Sequence, residues 1–113
     1  VVRADEIPGF ILLMRENQNY DSLNYVFFNS KGDPFLYVDR IAIKENHIRN
    51  GLGSMIYKKT LEIAENLGVM TCCEVNTEPR NDPSLAFHSN FGFKEAGLRD
   101  FDDHSAVYLV HRN

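Results

Sequence analysis

The sequence has no tryptophan, two cysteines and four prolines, and none of its apolar runs approaches the roughly 20 residues needed to cross a bilayer. Nor does it carry a basic-then-apolar leader, so the expected setting is soluble and cytoplasmic, with no membrane partner. Cys72 and Cys73 are neighbours in an apolar run, where a mutual disulfide would be strained; reduced thiols are expected. The Cys-x-x-Cys spacing of a metal site is missing, and no metal is expected. Positive charge is also short: 12 Lys and Arg stand against 16 Asp and Glu, a net charge of −4, which argues against a nucleic-acid partner. The chain lacks an initiating Met and opens on the strand-like Val1-Val2-Arg3-Ala4, as a fragment would. No repeat, linker or low-complexity tract divides residues 1–113, which are expected to form one domain.

What is present is an apolar, aromatic chain, 43% hydrophobic with eight Phe and five Tyr. Residues 1–4 and 9–14 are rich in strand formers and read as a hairpin. Residues 15–34 show no period and read as a long loop, which would cover a binding site or pack its aromatics on the sheet. Residues 35–43 alternate as a strand, with Tyr37, Asp39, Ile41 and Ile43 on one face and Leu36, Val38, Arg40 and Ala42 on the other. Asp39 either pairs with an arginine or lies in a polar cleft. Residues 52–67 read as an amphipathic helix with an inner stripe of Leu52, Ile56, Thr60, Ile63 and Leu67, stopped by Gly68. Residues 69–75 form a near-continuous apolar strand, and strand, crossover helix and strand imply a parallel pair. A loop over 76–80 leads to a second helix, capped by Asn81 or Asp82 and ended by Gly92, before two closing strands at 93–96 and 106–111. This order predicts an α+β (α/β layered) domain, a mixed sheet flanked by helices.

The chain is organised around residues 41–54, where the strand end Ile41-Ala42-Ile43 runs through a polar loop into Gly51-Leu52-Gly53-Ser54 and a helix. Glycines there let backbone N–H groups and the positive end of the helix dipole converge on an anion. The same two glycines also fit a plain strand-to-helix turn. The spacing is neither that of a Walker loop nor that of a dinucleotide fingerprint.

Ile48-Arg49-Asn50-Gly51-Leu52-Gly53 resembles motif A of the GNAT superfamily of N-acetyltransferases, Gln/Arg-x-x-Gly-x-Gly/Ala, which holds the pyrophosphate of acetyl-coenzyme A. Ile48 departs from the motif's first position, and Arg49 could supply charge in its place. Residues 81–93, Asn81-Asp82-Pro83-Ser84-Leu85-Ala86-Phe87-His88-Ser89-Asn90-Phe91-Gly92-Phe93, resemble the superfamily's second frame, Asn-x-x-Ala/Ser followed by an aromatic or His and then Gly-Phe. With Asp39-Arg40-Ile41-Ala42 and Cys73-Glu74-Val75-Asn76, the chain is most similar to a bacterial subgroup of predicted acyltransferases. It resembles the superfamily from its second strand to its last, without the first strand and the helices that follow it.

That resemblance implies a centrally splayed sheet and direct transfer of acetyl from acetyl-CoA to an amine of a small molecule or peptide. Main-chain groups of Ile41, Ala42 and Ile43 would pair with pantetheine. The diphosphate would rest on the motif that runs through Ile48, Arg49, Asn50, Gly51, Leu52, Gly53 and Ser54. Asn81, Ser84, Phe87 and His88 would line the pantetheine arm. Glu74, in an apolar strand where desolvation raises a carboxyl pKa, is the first candidate for general base, with Asp39 and a water chain behind it. It resembles the Glu of relatives that acetylate protein N-termini. His88 stands where most members place Tyr, and an imidazole can protonate the departing thiolate or simply be a satisfied core residue. A non-catalytic CoA-binding or protein-interaction domain of the same fold is the alternative, and a homodimer is compatible with either.

Overall fold

Five strands form one mixed sheet with helices packed on both of its faces. The computed structural model describes residues 7–45 and 50–112. In chain order its elements are β1 (Gly9–Arg15), α1 (Leu23–Asn29), β2 (Phe35–Ile43), α2 (Leu52–Leu67), β3 (Met70–Glu78), α3 (Asp82–Asn90), β4 (Lys94–Asp100) and β5 (Ser105–His111). Among the described residues the strand order is β1-β2-β3-β5-β4, and only β2 and β3 run parallel, joined through α2 as the sequence predicts; β1–β2, β3–β5 and β4–β5 are antiparallel. Residues 1–4, the expected hairpin partner of β1, lie outside the described residues, and β1 pairs with β2 along its whole length.

The sheet separates two apolar layers. Tyr25 and Phe28 of α1 pack with Phe35, Tyr37, Met70, Cys72 and Tyr108 on one face. On the other, Tyr57 of α2 packs with Val38, Cys73, Val75, Phe93, Val107 and Leu109, and Leu85 and Phe87 of α3 lean on that cluster. Burying a side chain of this size contributes about 1.5–3 kcal/mol, so α1 is held by its two rings rather than by its seven residues of helix. This corrects the expected loop over residues 15–34: its aromatics form a short helix whose inner ones belong to the core. The Tyr25 hydroxyl adds a tie, donating to the Arg15 carbonyl at 2.6 Å and accepting from the Gln18 amide at 2.8 Å.

Helix α2 has the predicted bounds and ends at Gly68 in the left-handed conformation, φ 72°. Its buried stripe, however, is Tyr57, Thr60 and Ala64, while Ile63 and Leu67 are exposed. The stripe is rotated from the predicted one, with Gly53 and Tyr57, one turn apart, facing the same cleft. The alternation of β2 is also broken. Leu12 pairs with Arg40 but Leu13 with Val38, which leaves Asp39 as an extra, bulged residue. Tyr37 therefore faces α1 while Ile41 joins the α2 face, where the unbroken alternation had put both on one side.

Candidate active site

Strands β2 and β3 pair only over Phe35–Met70, Leu36–Thr71 and Tyr37–Cys72. Both continue for six more residues without pairing to each other, so the sheet opens as a wedge and one main-chain edge of β2 has no strand partner among the described residues. Over the α2 face of this wedge lies a cleft of about 470 Å³ lined by Ile41, Ile43, Gly53, Tyr57, Phe87 and His88, with Asn81, Pro83 and Ser84 at its rim. A hollow of about 570 Å³ between α2 and the end of β5 is larger, but Lys58, Glu62, Glu65 and Arg112 give it no single charge, and it does not touch the wedge.

The start of α2 closes one end of the cleft. Gly51 occupies the N-cap position with φ 76°, no side chain among the described residues caps the helix, and no acidic residue sits in its first turn. The amides of the first turn, Leu52, Gly53 and Ser54, have no acceptor one turn earlier inside the helix, which leaves a positive helix end facing the cleft mouth. A Cβ on Gly53 would lie 3.1 Å from Ile43 Cδ1, so a larger residue here would have to push the Ile43 side chain aside. Asn50 is exposed beside Gly51; Ile48 and Arg49 lie outside the described residues.

Helix α3 supplies the opposite wall. Asn81 caps it, its Oδ1 accepting from the Ser84 amide at 3.3 Å, while its side-chain nitrogen has no hydrogen-bond partner among the described residues. Seven residues on, His88 is buried. Its Nδ1 lies 2.7 Å from the Ser84 carbonyl, and its Nε2 lies 2.6 Å from the Tyr57 hydroxyl. A carbonyl can only accept, so Nδ1 carries the ring proton and the neutral ring's Nε2 accepts from Tyr57. Burial lowers the His88 pKa from its ordinary value, the Ser84 carbonyl partly opposing this. Burial also pushes the Tyr57 hydroxyl well up, with the Cys73 thiol and Glu74 adding to the effect. Sequence reasoning missed Tyr57, although its place four residues after Gly53 puts both on one helix face.

The two candidate bases lie on the other face of the sheet. Glu74 accepts from the Tyr37 hydroxyl at 2.7 Å, and Asp39 from the Tyr20 hydroxyl at 2.8 Å. Asp39 has no arginine partner among the described residues. Burial raises the Glu74 pKa, opposed by the Tyr37 hydroxyl and the Asn24 side chain and assisted by Asp39. Asn24 in turn accepts from the Tyr108 hydroxyl at 2.8 Å. The structure thus brings Ile41, Ile43, Gly53, Asn81, Ser84, Phe87 and His88 together, and separates Glu74 and Asp39 from them by the thickness of the opened sheet. Cys72 and Cys73 are free and buried, and burial pushes both thiols well up, away from the thiolate a nucleophile requires.

A mixed sheet opened between its one parallel pair, with a helix start at the opening, is the expected GNAT architecture. The chain belongs to the acetyltransferase (GNAT) family, which it matches over residues 1–93. Among solved structures it is similar to the ribosomal-protein-S18-alanine N-acetyltransferase from Escherichia coli, with a TM-score of 0.69 and 18% identity over 96% of this chain and 63% of that one. It is also similar to Ard1 from Thermoplasma volcanium (TM-score 0.68, 19% identity, 96% and 64% covered). Arabidopsis thaliana NAA60 in complex with acetyl-CoA gives a TM-score of 0.73 at 11% identity, over 96% of this chain and 67% of that one. The chain spans 63% of the length of the first of these relatives. No curated protein sequence matches it.

Proposed function

We propose that residues 1–113 form an N-acetyltransferase domain that transfers acetyl from acetyl-CoA directly to an amine of a small molecule or peptide in the cytoplasm. The observation that carries this reading is the wedge between β2 and β3, with its unpaired strand edge and uncapped helix start. The site fits a long, anionic thioester: amides of residues 51–54 for the diphosphate, the edge at Ile41, Ala42 and Ile43 for the amide-bearing arm, and Asn81, Ser84 and Phe87 along its other side. Asn50 adjoins the diphosphate end; Ile48 and Arg49, which the motif would add, lie outside the described residues. The thioester supplies an activated acetyl group.

The acceptor amine would reach the opening from the α1 face, where Glu74 is the first candidate for its base and Asp39 the second. Both are held by tyrosine hydroxyls and neither is joined to a cation among the described residues, which suits the approach of a protonated amine. His88, on the cofactor side, returns a proton to sulfur. Calorimetry with acetyl-CoA tests the reading: micromolar or tighter binding with a matching thermal shift is expected, and no heat with no shift would overturn it.

A further inference from the structure

The direct route for that proton is blocked. In the neutral ring, His88 Nδ1–H is committed to the Ser84 carbonyl and Nε2 already accepts from Tyr57, so the ring presents no N–H to the cleft. Tyr57 lines the cleft beside His88, and its hydroxyl is polarised toward Nε2. We infer that Tyr57 and His88 act as one proton relay, in which the Tyr57 hydroxyl meets the reacting atoms and His88 holds the proton between the two halves of the reaction.

The steps balance without another reactant. The ammonium form of the amine first gives one proton to Glu74; as the neutral nitrogen then bonds to the acetyl carbon, it passes its next proton to the Tyr57 oxygen while the Tyr57 hydroxyl proton moves to His88 Nε2. When the carbon–sulfur bond breaks, the sulfur takes a proton from the Tyr57 hydroxyl and Nε2–H refills it. Throughout, Nδ1–H stays on the Ser84 carbonyl, which stabilises the transient imidazolium. The groups facing the pair are compatible with this. The Phe87, Phe91 and Phe93 rings pack on Tyr57, and the titratable neighbours acting on it are the Cys73 thiol and, from the far side of the sheet, Glu74. Tyr57 is therefore the catalytic residue and His88 its proton store.

This inference rests on the proposed transferase reading, and three measurements separate the two. Acetyl-CoA binding to the wild-type protein tests the transferase alone. The ring-nitrogen NMR signals of His88, read without any acceptor, test the relay: a protonated Nδ1 and an accepting Nε2 are expected, with the His88 pKa rising in Tyr57→Phe as Nε2 loses its donor. Turnover is then followed by mass spectrometry on a mixed library of free-amine peptides and primary amines. Tyr57→Phe and His88→Gln, whose amide oxygen can still accept from Tyr57, should each retain acetyl-CoA affinity within about threefold and lose about 100-fold or more in rate. A protonated Nε2 in the wild type, an unmoved His88 titration in Tyr57→Phe, or undiminished turnover with binding intact would each overturn the relay.

Discussion

Glu74 and His88 lie on opposite faces of one sheet: the carboxylate accepts from Tyr37 on the α1 side, and the imidazole from Tyr57 on the α2 side. They meet only through the opening between β2 and β3. A reaction there would take its amine from one side and its thioester from the other, so the base need not touch the acid.

Glu74→Gln tests the first half. Burial holds the Glu74 carboxyl above the usual carboxylate range, and a base works only when ionised, so the acid limb of the rate profile should rise through that elevated value. The glutamine variant should lose both the limb and most of the rate. Stability gives an independent sign. A group whose folded pKa is raised contributes stability below its unfolded value and loses it as pH rises through the folded one. Thermal scans should therefore find Glu74→Gln more stable than wild type near pH 8, with the gain vanishing near pH 4; parallel curves would count against the buried-carboxylate account.

Gly51 and Gly53 should separate stability from binding. A Cβ at Gly51 meets nothing within 4 Å but sits at φ 76°, so Gly51→Ala is expected to cost about 1–2 kcal/mol, with a midpoint lowered by several degrees. A side chain at Gly53 projects toward Ile43 Cδ1, 3.1 Å from its Cβ, and into the cleft. Gly53→Val should abolish measurable acetyl-CoA binding in calorimetry, and unchanged affinity would move the ligand elsewhere.

Asn81 carries two expected duties, which Asp and Ala distinguish. Asn81→Ala removes the helix cap and should cost about 1 kcal/mol along with affinity. Asn81→Asp keeps the capping oxygen, so its melting temperature should hold while acetyl-CoA binding weakens. If the Asp variant binds like wild type, the carboxamide nitrogen makes no contact with the ligand.

Much of this arrangement was legible in the residues, for physical reasons. The bounds of β2 and α2 follow from a mostly apolar run of strand formers and from a helix stopped by glycine, both local signals. Asn81 and His88 were legible because a cap and a seven-residue helical spacing are also local. Helix α1 was not, since seven residues without a capping hydrogen bond form a helix only once Tyr25 and Phe28 find the sheet. The separation of Glu74 from His88 depends on which way each strand residue faces across the whole sheet, and the Tyr57–His88 contact joins residues 31 apart.

Tyr25 offers a control for the face assignment. Tyr25→Phe strips a hydroxyl with two main-chain partners and should cost about 1–3 kcal/mol. Because α1 packs on the side away from the cleft, calorimetry should find acetyl-CoA affinity unaltered below the lowered melting point.

The supernumerary Asp39 gives the central strand a change of phase. Deleting that one position would restore strict alternation while leaving Ile41 and Ile43 on the face of Gly53, taking away only the carboxylate. Keeping Asp39 but ironing out the bulge would instead turn Ile41 and Ile43 toward Tyr37's side and strip the cleft of that apolar wall.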